Sequence, residues 1–323
     1  MSAPQRRNLA ATQPADASTF DGNMVLSKRH DEKRGSIVLS NDGRNGSRTL
    51  TLVSWNMNGL ATAWDQVIAD ASVDVALVQE ARPPTTSIPL TIVSAASDWS
   101  TGGAPNRSFC TAVAARKGVG RPTVTAIPTH RVGDPEGDGL AVSIPGTIAL
   151  GEVRWGAGQA IVVASVYSCW DSPVGGGGWI YADSSAHRLI SDLSGLIDSQ
   201  RSHRIIVAGD WNILYGYGEQ GSSYWARRYQ TVFDRMEALG LTFCGPQHPN
   251  GLPAAPPPAE LPETSRNVPT YRRNRNDPST GTRQLDFAFA SAALAPKVSV
   301  CADNGADGWA PSDHCRVIIT VEP

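Results

Sequence analysis

Six short polar motifs, each at the end of an apolar, β-branched run or just before one, constrain this chain more than any other feature. They read Ser54-Trp55-Asn56-Met57-Asn58-Gly59, Gln79-Glu80, Val166-Tyr167-Ser168, Gly209-Asp210-Trp211-Asn212, Arg283-Gln284-Leu285-Asp286 and Ser312-Asp313-His314. If their strands share sheets, the motifs gather at one rim. They then line a cleft with carboxylates, amides, a phenol and an imidazole, a lining that suits a hard divalent cation and a phosphate ester.

The motifs span residues 54 to 314 of 323, which favours one large domain with ample length for a core. Composition (41% hydrophobic, 18% charged) is that of an ordinary globular protein, and no apolar run approaches the roughly 20 residues of a membrane span. A polar stretch follows Arg6 and Arg7 where a secretory signal would be apolar, so export is not expected. Cys110, Cys169, Cys244, Cys301 and Cys315 are odd in number and lack Cys-x-x-Cys spacing. They read as buried free thiols in a reducing cytoplasm. No protein partner is inferred, and a monomer is expected.

Net charge is −2, unevenly placed: residues 1 to 48 hold eight Lys/Arg against five Asp/Glu, leaving 20 against 25 for the rest. The body is therefore no basic glove, and a polyanion must be met by a local patch. Arg266, Arg272, Arg273, Arg275 and Arg283 form the candidate, with a solvated loop as the other reading.

Residues 1 to about 47 lack sustained periodicity and are expected to form a disordered extension, with Met24 an alternative start. Strands are expected over Thr49 to Asn56, Asp74 to Glu80, Phe109 to Arg116, Val124 to Arg131, Leu140 to Ile144, Thr147 to Trp155, Ala160 to Tyr167, Arg204 to Gly209 and Val317 to Val321, with one more at Asp286. Helices are expected over Ala63 to Ala71, Ser184 to Ser199 (with Asp183 or Ser184 as N-cap) and Tyr224 to Leu239, the last stopping at Gly240. Pro246 to Pro262 is too rich in proline for a helix or central strand, and Gly175 to Gly178 lacks the Lys-Ser/Thr pair of a phosphate-binding loop.

A carboxylate at the end of a buried strand needs a partner. Glu80 is the primary candidate metal ligand, with the amide oxygens of Asn56 or Asn58 helping directly or through water. Asp210 and Asn212, two residues apart, fall on one side of an extended backbone and can orient a water and hydrogen-bond a phosphate oxygen. Asp286 and His314 can pair as carboxylate and imidazole, which fixes the tautomer and stabilises an imidazolium. Tyr167 brings a phenol to the same rim.

In this order and spacing the motifs resemble the endonuclease/exonuclease/phosphatase superfamily over about residues 49 to 323. The resemblance implies an α/β (α+β) fold, a four-layer αββα sandwich of two mixed sheets flanked by helices, with a Mg2+-dependent phosphoesterase site at one end that Mn2+ can also serve. It implies Asn56, Asn58, Glu80 and Asp313 around metal and phosphate, Asp210 and Asn212 at the attacking water and in reach of the metal, Asp286 orienting His314, and Tyr167 in the family's tyrosine position. Ser168-Cys169-Trp170 departs from the proline and asparagine of abasic-site endonucleases, Asn58 stands where many members have Asp, and Phe287 replaces a frequent Tyr or His.

Thr270-Tyr271-Arg272 resembles the nuclease branch and, with Arg272, Arg273 and Arg275 as substrate-binding groups, favours nucleic acid as substrate. A phosphomonoesterase or lipid phosphodiesterase of the same core is the alternative, and a binding module with a dead site the third reading.

Overall fold

The apolar runs pair into two six-stranded sheets in the computed structural model, which describes residues 48–323 except 105, 135–136, 157, 171–181, 200–202 and 274–276. The first half of the chain forms β1 (Leu50–Asn56), α1 (Ala63–Ala69), β2 (Val75–Ala81), β3 (Leu90–Ser94), β4 (Cys110–Arg116), β5 (Thr123–Ile127), β6 (Thr129–Arg131), β7 (Leu140–Val142), β8 (Ile148–Arg154) and β9 (Ile161–Tyr167). The second half forms α2 (Ala182–Ser199), β10 (Ile205–Asp210), α3 (Ser223–Ala238), β11 (Leu241–Gly245), β12 (Tyr271–Arg272), β13 (Gly281–Arg283), β14 (Asp286–Ser291), β15 (Val298–Asp303) and β16 (Arg316–Val321).

One sheet runs β15-β16-β1-β2-β4-β3 and the other β11-β14-β10-β9-β8-β5. Both are mixed, with a parallel pair at the centre of each, β1 with β2 and β9 with β10. Their facing sides meet in a core of Leu52, Leu77, Val113, Val163, Ile206 and Ile319. The outer face of the first sheet packs on α1 through Trp55, Trp64 and Val67. That of the second packs on α2 and α3 through Leu189, Leu193, Val232, Phe233 and Met236. Both long helices present one apolar stripe, which is why they lie on a sheet. The result is the four-layer sandwich.

Register explains why the polar motifs meet. Parallel pairing sets Asn56 beside Gln79 and Asp210 beside Tyr167, so those strands end at the same rim. Antiparallel pairing sets Asp210 opposite Asp286, where β14 begins.

Several expectations need correction. The run Val124 to Arg131 is two strands, broken at Pro128, which has no N–H for the ladder. β3, β11 and β15, outermost or carrying exposed residues, lack the continuous apolar run of a buried strand and were not expected. Helix α2 already begins at Ala182, so Asp183 sits in its first turn, not at a cap, and pairs with Arg228 of α3 at 2.6 Å. Cys301 is exposed and Cys244 half-buried, whereas Cys110, Cys169 and Cys315 are buried; all five are free.

Helix α3 does stop at Gly240, whose φ of +76° lies in the left-handed region that favours glycine. Pro246 to Pro262 is irregular backbone. The expected extension, apart from Arg48, and the Gly175 to Gly178 segment lie outside the described residues.

Gly209 carries a testable constraint on sheet packing. A Cβ there would lie 1.9 Å from the Val166 carbonyl oxygen, a backbone atom that cannot turn aside. Gly209→Ala is expected to destabilise the fold by about 3 kcal/mol or more, beyond the usual range of overpacking because backbone must move. Urea unfolding checks this, and an unchanged midpoint would refute the close approach.

Candidate active site

Strand β1 ends on Asn56, only 1% exposed. Its Nδ2 donates to Glu80 Oε1 at 3.2 Å and to Asp210 Oδ2 at 2.9 Å, and its Oδ1 accepts from the Asn58 N–H at 2.8 Å. Both amide hydrogens are therefore committed to carboxylates from the two different sheets.

In a regular strand Gln79 and Glu80 would face opposite sides. Gln79 does point between the sheets, donating to Ser165 Oγ at 2.9 Å. Glu80 escapes that alternation: its φ is +47°, and the β2–β4 register shifts between Val78 and Ala81. A bulge of this kind re-aims a side chain beside a site. Burial pushes the Glu80 carboxyl up, opposed by the Asn56 amide, the His314 charge and a hydrogen bond from Tyr167. Burial and the Glu80 and Asp210 charges push the Tyr167 phenol far up, so it stays a neutral donor to Glu80.

Asp210 closes β10 and is 1% exposed. Besides Asn56, it accepts from the Asn212 backbone N–H at 3.0 Å and from Asn212 Nδ2 at 3.0 Å. Asn212 adopts φ of +52°, and the same Nδ2 also donates to the Ser168 carbonyl at 2.9 Å. Both of its amide hydrogens are thus used inside the protein. The expectation that Asn212 donates to a phosphate oxygen needs correction: what it can offer the cavity is its carbonyl oxygen, an acceptor for water.

Asp286 Oδ2 meets His314 Nδ1 at 2.8 Å, and His314 Nε2 stands 3.9 Å from Asp210 Oδ2. Thr270 Oγ1 fixes the start of β14 by accepting from the Leu285 and Asp286 N–H groups at 2.9 and 3.1 Å. The His314 side is held by Trp55 Nε1 donating to its carbonyl at 3.0 Å and by Ser312 Oγ, which accepts from its N–H at 3.1 Å. Ser312 Oγ in turn donates to the Asn56 carbonyl at 2.7 Å. Burial alone works against the imidazolium, but the Asp286 and Asp210 carboxylates outweigh it and push His314 up to about 10. Asp210 is pushed up to about 8, by burial first, with the His314 charge opposing and Asp286 and Glu80 adding to the rise. These groups titrate as one unit.

The groups open onto a cavity of about 270 Å³ lined by Asn58, Glu80, Asp210, Asn212, Asp313 and His314, with Tyr271, Arg283 and Trp170 at its walls. Four of the lining groups are carboxylates, Glu80, Asp210, Asp313 and Glu219, the last tied to Arg283 by two bonds of 3.1 and 2.8 Å. Asp210, Asp286 and His314 offer ligand atoms within 4.8 Å of one another. His314 Nδ1 is already committed to Asp286, so this trio is a hydrogen-bonded Asp286–His314 pair with Asp210 facing Nε2 at 3.9 Å. The oxygen donors of Glu80, Asp313 and Asn58, without thiols, are the set that fits a hard divalent cation.

The expected arginine patch does not hold together. Arg272 is 5% exposed, donates to the Ser312 carbonyl at 2.9 Å and lies over the Trp309 ring at 5.2 Å. It braces the Ser312-Asp313-His314 turn and is not presented to a polyanion. Arg266 bonds the His248 carbonyl, Arg273 is exposed, and Arg275 lies outside the described residues. Sequence reasoning missed the bracing of Asp286 by Thr270, whose side-chain role leaves no periodic signal, and the Glu219–Arg283 pair, 64 residues apart.

A sequence model of the Endonuclease/Exonuclease/phosphatase family matches residues 53–314. Among solved structures, the chain is similar to the AP endonuclease LMAP from Leishmania major (15% identity over 85% of this chain and 88% of that one, TM-score 0.56). It is also similar to the APE2 catalytic domain from Xenopus laevis (14% identity, 84% and 91% covered, TM-score 0.58). A third is the 3'-5' exonuclease NExo from Neisseria meningitidis (16% identity, 85% and 100% covered, TM-score 0.52). At such identities these likenesses concern the fold. No curated protein sequence matches the chain significantly.

The buried cluster makes stability depend on pH. His314 rises from 6.5 to about 10 in the folded chain, so its contribution is fully present below pH 6.5 and is lost as pH rises through 10. Asp210, raised from 3.8 to about 8, acts in the same direction over a lower window. In metal-free buffer the unfolding free energy is expected to fall between pH 6.5 and 10, and to fall less in His314→Gln. Urea titrations at pH 6, 8 and 10 measure it, and parallel profiles for the two proteins would contradict the assignment.

Proposed function

The chain belongs to the endonuclease/exonuclease/phosphatase family, and from that premise we propose that this phosphoesterase is a Mg2+-dependent phosphodiesterase that hydrolyses nucleic acid. The observation that carries the reading is the convergence on one cavity of Glu80, held by the Asn56 amide, and of Asp210, Asn212 and His314, the last hydrogen-bonded from behind to Asp286. That an AP endonuclease and a 3'-5' exonuclease share the fold supports nucleic acid over other phosphate esters. Abasic-site specificity is not part of the proposal, because Ser168-Cys169-Trp170 follows Tyr167.

Each residue's task follows from its partners. Asp210 and the carbonyl oxygen of Asn212 accept hydrogen bonds from a water and hold it for attack on phosphorus. The new P–O bond forms as the bond to the leaving oxygen breaks, and the water's proton passes to Asp210. The His314 imidazolium, its Nδ1–H given to Asp286, turns Nε2–H to a non-bridging oxygen where negative charge grows. Tyr167 keeps Glu80 aimed and, with the Asn56 amide, offsets part of the cost of burying its charge. Glu80, with Asp313 and Asn58 at the same cavity, would hold Mg2+, or Mn2+ in its place, and the bound ion supplies Lewis-acid screening of the phosphate charge.

The deciding experiment is a Mg2+-dependent screen of the purified chain on single- and double-stranded DNA, RNA, abasic DNA, inositol phosphates and sphingomyelin. Cleavage confined to the last two would overturn the nuclease reading.

Two sets of variants test the residue roles. Glu80→Gln is expected to weaken Mg2+ binding measured by calorimetry and nearly abolish turnover with the fold intact; an unchanged Mg2+ titration would remove Glu80 from the ligand set. Asp210→Asn and His314→Ala are each expected to slow the reaction on the order of 10²-fold or more. The double variant should lose less than the product of the two, because the groups act as a unit. Fully multiplicative losses would count against a shared transition-state role.

A further inference from the structure

A second cavity, of about 540 Å³, opens beside the catalytic one, and the two share Trp170, Glu219 and Arg283. Its remaining wall comes chiefly from Trp225 and Tyr229 of α3. The Trp225 ring is fixed by the Arg228 guanidinium at 5.0 Å and by the Tyr229 ring, tilted 31° at 5.9 Å. Ser222 Oγ accepts from the Trp225 N–H at the start of the helix. The aromatic wall is therefore rigid before anything binds.

Trp170 differs from the buried tryptophans of the core, Trp55, Trp64, Trp211 and Trp309. It is 40% exposed, and its backbone is anchored by Arg107 donating to its carbonyl at 2.6 Å. A single exposed apolar side chain is ordinary on a surface. An exposed indole at the lip of an acidic cavity, bordering the same second cavity as Trp225 and Tyr229, is a stacking platform. Arg283 stands where the cavities join, held by both Glu219 oxygens, so its charge is pre-set at one point.

We propose that the second cavity is a base-binding subsite, taking the unstacked nucleobase of the nucleotide next to the scissile phosphate, stacked on Trp170 and facing Trp225 and Tyr229, with Arg283 meeting that nucleotide's own phosphate. The proposal rests on the nuclease reading and adds to it the form of the substrate. A base can enter only if it has left its stack, so single strands, frayed ends and gaps are cleaved in preference to intact duplex. Pairing of α3 aromatics with a base also sets the spacing along the strand: the base read by the pocket is an immediate neighbour of the cleaved bond, because the two cavities share a wall.

The test scans a single-stranded oligodeoxynucleotide with one abasic analogue placed at each position in turn, using the full chain with Mg2+. In the wild type, loss of the base at one flanking position is expected to raise KM about fivefold or more with little change in kcat. Trp170→Ala, which removes an exposed side chain and leaves the core intact, should show the same rise on the unmodified strand and no further rise at the abasic position. Trp170→Phe, which keeps an aromatic face, should restore the wild-type pattern.

A flat scan in the wild type, or effects of Trp170→Ala and base removal that simply multiply, would overturn the subsite while cleavage of the unmodified strand still upheld the nuclease reading. Equal or faster cleavage of intact duplex would overturn it as well. Failure of the wild type to cut any oligonucleotide would remove both.

Discussion

The two sheets are joined at their working end by one amide. Asn56 belongs to the first sheet, yet its two amide hydrogens go to Glu80 on its own sheet and to Asp210 on the other. A second link crosses in the opposite sense: His314 leads into β16 of the first sheet and bonds Asp286 at the start of β14 in the second. Distances within the site are therefore set by how the sheets pack, together with the left-handed turns that aim Glu80 and Asn212. The packing is in turn fixed by side chains that leave no slack, such as Ile206 and Val163 meeting Leu77 and Val113. Backbone approach matters equally within the second sheet, where the absence of a side chain at Gly209 lets β10 lie close to β9 and brings Asp210 level with Tyr167.

The electrostatics follow from that geometry. Three carboxylates, Glu80, Asp210 and Asp286, sit near one imidazole in a dehydrated end of the sandwich. An imidazolium there is favoured because two of the carboxylates face it, Asp286 at hydrogen-bond distance and Asp210 at 3.9 Å. It leaves Glu80 as the carboxylate without a basic side chain of its own, held by an amide and a phenol. The cavity presents two acidic groups, Glu80 and Asp313, that have no ion pair among the described residues, and one cationic position already neutralised. This is the arrangement expected where a divalent cation and a phosphate both arrive from outside.

The strand ends were legible in the sequence because alternation and β-branched runs are local signals. Ile205 to Gly209 could hardly be anything but a buried strand, and Asp210 and Asn212 then had to stand at its mouth. The apolar stripe of Tyr229, Val232, Phe233 and Met236 likewise told which face of α3 is buried. What could not be read were features that depend on contacts distant in sequence. Arg272 lies in a run of arginines and looks like a surface cation, but the Ser312 carbonyl and the Trp309 ring, about forty residues on, bury it. The left-handed turn at Glu80 is equally silent, since nothing in Gln79-Glu80-Ala81 announces a bulge. The edge strands β3 and β15 escaped because residues that are half in water carry mixed patterns.

The short segment after β9 ties chemistry to selection of substrate. Tyr167 steadies Glu80, the Ser168 carbonyl takes one hydrogen of Asn212, and Trp170 stands at the lip of both cavities. The first two contacts use a phenol and a backbone carbonyl. The phenol ties Tyr167 to its identity, whereas the Ser168 contact to Asn212 uses backbone, and the buried Ser168 and Cys169 side chains are taken up by packing on α2. Trp170 is the reverse case: its side chain faces solvent, and its backbone alone is tied down, by Arg107. A change of the Trp170 side chain can therefore leave the contacts of Glu80, Asp210 and Asn212 undisturbed. The departure from the abasic-site pattern spans Ser168, Cys169 and Trp170; Ser168 and Cys169 are buried, with Ser168 Oγ donating to the Ala182 carbonyl, and of the three only the Trp170 side chain is left free to answer to the substrate.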